Sequence, residues 1–198
     1  MRLSLRSAII ALPLLLPLGG WTSGSELLSL QPQSRLWVEG GSTIRAWTCK
    51  AADVSASVEA SGTNAVAQLF AGEKVVKTVD VTLSSEKLDC GGGTMNDHMK
   101  KALKVGDFPT IAFRLATYDL KHGADGISGT LIGTLTLGGV KKSISIPATG
   151  TTENGALHVI GSYELKMTDY DLTPPSLMFG RIKVRDDVTV KFDLMLKS

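Results

Sequence analysis

Chemistry on this chain would have to come from a short set of side chains: Cys49 and Cys90, the histidines 98, 122 and 158, the adjacent Asp186 and Asp187, the triplet Asp169, Tyr170 and Asp171, the run Gly91, Gly92 and Gly93, and Lys77. Two cysteines can form a disulfide or stay as buried thiols, but they cannot enclose a structural metal alone. His98, His122 and His158 fall in a predicted helix, a turn and a strand without shared ligand spacing. Each reads as an exposed or singly hydrogen-bonded group, and no metal site is expected. Neighbours on a strand point to opposite faces, so Asp186 and Asp187 would not converge as an acid/base pair; a solvated turn before the last strand accounts for them. The glycine run lacks the strand, spacing and lysine of a phosphate cradle and reads as a flexible lead-in to a helix. No G-x-S-x-G elbow, P-loop or dinucleotide fingerprint occurs. Asp169 to Asp171 precede Pro174 and Pro175, where a turn closing one end of the fold explains them, with ligand gating as the other reading. No catalytic residue is predicted, and the chain is not expected to be an enzyme.

The elements that must position these groups are mostly strands. Arg35 to Thr48 and Asp53 to Ala60 read as the first of them, after a polar stretch through Ser34. Val75 to Leu83 alternates, with Val75, Lys77, Val79, Val81 and Leu83 on one face. The period then changes. Met95, Met99, Ala102 and Leu103 form a helical stripe within Thr94 to Val105, with Thr94 as N-cap, Asp97 three residues on and Gly106 as the stop. Past Pro109 the alternation returns in Ile111, Phe113 and Leu115, in Ile127 to Leu137, Val140 to Thr149 and Ala156 to Met167, and most clearly in Arg185 to Leu196. About eight strands with one short inserted helix predict an all-β, closed antiparallel barrel, because closure removes exposed edges; a sandwich is the alternative. Gly129, Gly133 and Gly161 share faces with apolar neighbours, where they either leave a tunnel or only let the strands coil.

Arg2 and Arg6 precede an apolar run broken by Pro13 and Pro17, too short to span a bilayer comfortably, so residues 1–24 are expected to be a signal peptide and 25–198 one domain. The expected location is periplasmic or secreted, without a stable membrane anchor. The segment holds two of the 21 basic residues and none of the 19 acidic ones, which leaves 19 against 19. A neutral chain with interspersed charges gives no basic patch for nucleic acid. In an exported chain the natural pairing is a Cys49–Cys90 disulfide.

Three stretches, Thr94 to Phe113, Gly133 to Gly150 and Thr168 to Leu194, resemble the YceI-like family in order, spacing and residue type. The resemblance implies a soluble lipocalin-like barrel of the bacterial periplasm with a long apolar interior, which in some members holds a polyisoprenoid chain such as a quinone tail. It implies no cofactor beyond such a bound polyisoprenoid or quinone.

On this reading the expected ligand contacts are Ile111, Phe113, Leu115, Leu131, Leu135, Val159, Tyr163, Leu165, Phe192 and Leu194, with Tyr163 as a polar handle. Met178 and Phe179, with Met95 and Met99, form either a soft apolar rim or plain core. Lys77 is the one ionisable group in the apolar sets and is expected at a strand end or snorkelling outward. The expected function is a non-catalytic carrier of a long apolar molecule. The alternatives are a structural or stress-response barrel without ligand, and an outer-membrane barrel, which would need aromatic girdles that 11 aromatics scarcely supply. Oligomeric state is left open, a homodimer included.

Overall fold

A computed structural model describes residues 24–198, so the predicted signal segment lies, but for its last residue, outside the described residues. In chain order the elements are β1 (Ser25–Leu30), β2 (Arg35–Ser42), β3 (Ala46–Ala51), β4 (Val54–Ser61), α1 (Ala65–Phe70), β5 (Val76–Ser84), β6 (Leu88–Asp89), α2 (Gly93–Ala102), β7 (Thr110–Gly123), β8 (Gly126–Leu137), β9 (Val140–Glu153), β10 (Ala156–Lys166), β11 (Ser176–Leu177) and β12 (Ile182–Lys197). Strands β1, β4, β5, β7, β8, β9, β10 and β12 pair in that order, and β12 returns to β1 through Ser29 opposite Lys197 and Leu30 opposite Leu196. The result is a closed antiparallel barrel. At one end β2 carries on along β12 where β1 leaves off, β3 pairs with β2, and β6 with β3. β1 with β2, β3 with β4 and β5 with β6 are therefore three broken strands of the same eight-stranded wall.

Tight hairpins join the later strands, and they use the residues that such turns demand. Gly138 and Gly139 link β8 to β9, and Asn154 and Gly155 link β9 to β10, all with positive φ. Pleating then sends alternate side chains inward. On β9, Ile144 and Ile146 are buried, whereas Lys141, Ser143 and Ser145 are exposed. Ion pairs Lys191–Glu39 at 2.8 Å, Arg114–Asp80 at 2.6 Å and Arg35–Asp193 at 3.1 Å cross strands on the outer face. A polar exterior around an apolar interior is the reverse of a lipid-facing barrel and argues against the outer-membrane alternative.

Several expected boundaries move. Arg35 to Thr48 is a hairpin and not one strand, since Ser42 to Arg45 turn the chain through Ser42 N donating to Arg45 O at 2.8 Å. The stretch before Ser34, read as polar, contains β1, whose Leu28 is buried. There are two helices among the described residues, not one. The missed α1 buries Ala65 and Leu69 in one end of the barrel, and the Ala65 amide donates to the Glu26 carboxylate at 2.6 Å. The expected Thr94 cap is not made: α2 starts after Gly92 without a side-chain cap. Its lead-in is instead tied by Asn96, which accepts from the Cys90 amide at 2.7 Å and donates to Asp89 at 3.0 Å. Its end comes early, at Lys104 with φ 54°, where the Val105 amide bonds back to Lys100 O.

Two bulges shift the inward phase within strands. Between Glu59 and Ala60 the partner register on β5 skips Lys77, so Val76 and Val79 both face inward while Lys77 is exposed beside Glu59 at 3.9 Å. Lys77 thus leaves the apolar face to which simple alternation assigned it. On β7 the shift falls at Ala116, after which Tyr118 and Leu120 face inward. The Tyr118 hydroxyl accepts from the Val76 amide at 3.1 Å and so satisfies a donor next to the first bulge. A third irregularity, between Val184 and Val188, holds Asp186 and Asp187. They sit inside β12, not in a turn before it.

Candidate functional site

The barrel encloses a cavity of about 660 Å³ that runs from α1 to α2. Its wall is almost wholly apolar because the inward sets of all eight strands contribute to it. Ile111, Phe113, Leu115, Leu131, Leu135, Val159, Tyr163, Leu165, Phe192 and Leu194 all line it. So do Val76, Tyr118 and Leu120, which the bulges had hidden from a period-two reading, together with Val79 and, from the broken strands, Val38 and Trp47. Met95, Met99, Ala102 and Leu103 turn the stripe of α2 onto the cavity, yet no residue of that helix is fully buried.

Met178 and Phe179 do not line the cavity. They occupy the tip of the hairpin between β11 and β12, where Phe179 is fully exposed and Met178 is 65% exposed. Both lie in a turn beyond the strand walls, so neither belongs to the lining or to the core.

Glycines do not open the tunnel. A Cβ at Gly133 would lie 2.6 Å from the Phe113 ring, and one at Gly161 would lie 2.9 Å from the Pro147 carbonyl and strike Phe192. Each aromatic ring lies over the neighbouring glycine, so these positions allow close strand approach while Phe113 and Phe192 fill the space. The free volume comes from the bore of the barrel and its broken strands.

The two ends differ. At the α1 end Leu69, Ile127, Leu157 and Leu196 are buried, and His122 Nε2 lies 3.0 Å from the Leu69 carbonyl. At the α2 end the lining includes the exposed Ile44, Arg45 and Thr94, with Arg45 Nη2 3.4 Å from Met95 Sδ. That end is the mouth. Among the described residues, Arg45 and His98 are the lining side chains that can carry positive charge, no carboxylate lines the cavity, and both stand at the mouth. The buried Trp47 indole N–H in the wall nearby has no acceptor among the described residues. His158 is remote from both other histidines in role, bonded on the outer face to Asp193 at 2.8 Å.

Beside the mouth, the Met167–Tyr170 turn and Leu172 pack with Trp47, Ala102 and Leu103 and narrow that end, with Tyr170 1% exposed. Burial, and then the adjacent Tyr163 phenol, pushes the Tyr170 hydroxyl well above the usual tyrosine range. Cys49 and Cys90 are disulfide-bonded and pin the segment leading into α2 to β3.

A profile for the YceI-like domain matches residues 38–196. The chain belongs to the YceI-like family. Solved structures of the same fold include Burkholderia cenocepacia BcnA, at 16% identity over 82% of this chain and 95% of that one with a TM-score of 0.64. A polyisoprenoid binding domain from Saccharophagus degradans, implicated in plant cell wall breakdown, aligns at 15% identity over 86% and 98% with a TM-score of 0.61. The Campylobacter jejuni YCEI protein aligns at 19% over 76% and 84%, with a TM-score of 0.57. Among curated proteins none matches.

Proposed function

We propose that this YceI-like barrel is an exported, periplasmic carrier that holds one long apolar molecule, a polyisoprenoid, quinone or other lipid, and does no chemistry on it. The carrying observation is the continuous apolar cavity whose charge-bearing lining, Arg45 and His98, lies at one end. Each buried methylene contributes about 0.8 kcal/mol, so a long tail needs few polar contacts. Tail in the bore and headgroup at the mouth, beside Arg45, His98 and the unpaired Trp47 N–H, matches the distribution of polarity along the wall. The family assignment and the polyisoprenoid binding described for the Saccharophagus domain support the ligand class. A carrier also accounts for the charge-bearing lining, which among the described residues gathers at the mouth.

The test is to express the full chain in its native host, recover it from the periplasmic fraction, and extract it with organic solvent for mass spectrometry. One predominant lipid per chain is expected. Absence of any lipid above a blank, with no uptake of a fluorescent apolar probe by the stripped protein, would overturn the reading.

A further inference from the structure

We propose that the mouth of the barrel docks reversibly on an anionic lipid bilayer, with the β11–β12 hairpin tip as its inserting element. The tip combines two features that a folded protein ordinarily avoids. Met178 and Phe179 take φ values of 51° and 55°, followed by Gly180 at 88°, so three successive residues are left-handed. The Gly180 amide bonds to Leu177 O and the Arg181 amide to Met178 O, which fixes this geometry. For bulky L-residues such backbone is unfavourable, and the chain's own β8–β9 and β9–β10 turns use Gly-Gly and Asn-Gly for it. Strain of this kind is ordinarily offset by burial, yet Phe179 is fully exposed and Met178 65% exposed. Nothing within the fold rewards either side chain, which points to a reward outside it.

The surroundings say what covers the tip. Pro175, Leu177 and Ile182, at the base of the hairpin, line the cavity, so the tip stands at the mouth. Thr43 bonds to both Arg181 O and the Lys183 amide at 3.3 Å, which sets Ile44, itself 65% exposed, on the same lip. Arg45, Arg181, Lys183 and Arg185 flank these apolar residues, all exposed and without a carboxylate within 4.0 Å among the described residues. Asp186, the nearest acid in sequence, is engaged by Thr168 at 2.6 Å. The sign extends to the whole end. Segments 42–45, 85–109, 138–142 and 166–187 hold 11 lysines and arginines against 8 acids, and the rest of the described chain holds 8 against 11.

Three exposed apolar side chains form too small a patch for a stable protein interface, which needs about 800 Å² per partner. A small apolar tip ringed by cations suits an anionic bilayer, where weak insertion and charge attraction act together. Docking there would let an apolar tail pass between membrane and bore without crossing water. That use rests on the carrier reading above; vesicle binding itself does not.

The test is flotation of the full chain with vesicles of phosphatidylglycerol and phosphatidylethanolamine, or of phosphatidylcholine alone. Binding to the anionic vesicles is expected, lost in high salt and at least fivefold weaker on phosphatidylcholine. Met178→Asn with Phe179→Gly supplies the turn with residues suited to it. This variant is expected to float at least fivefold less while melting at a higher temperature than the parent. A variant that melts lower and floats as before would overturn the proposal, since the tip would then be structural. Phe179→Trp should show a blue-shifted emission on anionic vesicles, and an unshifted spectrum would equally overturn it. Lipid content measured by extraction separates the two readings: an empty cavity with intact flotation sinks the carrier and leaves the docking surface.

Discussion

Asp186 shows how one side chain can hold a connection in place. Its carboxylate accepts from the Thr168 hydroxyl at 2.6 Å and the Thr168 amide at 2.9 Å, tying β12 to the turn after β10. These bonds hold it below the usual carboxylate value of 3.8. A depressed folded-state value contributes stability above 3.8 that is lost as pH falls from there toward the depressed value. Asp186→Asn should therefore be less stable than the parent in urea at pH 7, and the difference should shrink as the pH falls below 3.8 and the parent loses its own charge. Gly133→Ala tests the other extreme, a position without a side chain. With Phe113 and the Arg114 carbonyl in the way, it should cost about 1–3 kcal/mol in the same assay. Single residues were legible in the sequence wherever strict alternation held, as for Leu131, Leu135 and Phe192. They were illegible where one extra residue slipped the phase, as at Val76 and Tyr118, because a bulge leaves no compositional mark.

Among the elements, α2 depends on neighbours more than on itself. It has ten residues, none fully buried and no side-chain cap, so the Asp89–Asn96 bonds and the Cys49–Cys90 disulfide carry its position over the mouth. The disulfide closes a loop with a sequence separation of 41. In the chain-entropy model that is about 4 kcal/mol, an upper figure if the bond is strained. Cys49→Ala with Cys90→Ala should lower stability by about 2–4 kcal/mol, and amide exchange should accelerate first across α2. The helical stripe Met95, Met99, Ala102, Leu103 was readable because its period is unlike its surroundings. Helix α1 was not, although Asn64 before Ala65 and Gly72 beyond its end were both present: six residues offer little more than one turn of periodicity.

For the whole molecule, the consequence of a preformed bore is linkage between cargo and stability. A ligand at a hundred times its dissociation constant adds about 2.7 kcal/mol. Delipidated protein should thus melt roughly 5–10 °C lower than the native-host preparation, and should recover on adding back the extracted lipid, by calorimetry. The barrel itself was legible from eight alternating segments, whereas its broken seam was not, because β1 lay in a stretch that looked merely polar. That seam sets a schedule. Since β12 is the partner of β1, β2 and β10 alike, a chain emerging residue by residue can pair β1 with β4 early but leaves one edge of β1, β2 and β10 open until β12 is made. The wall stays an open ribbon until β12 has been made, and contacts of such long separation form slowly. A polypeptide with that habit remains threadable through a narrow channel late into its production, and it seals only after the final strand has been delivered.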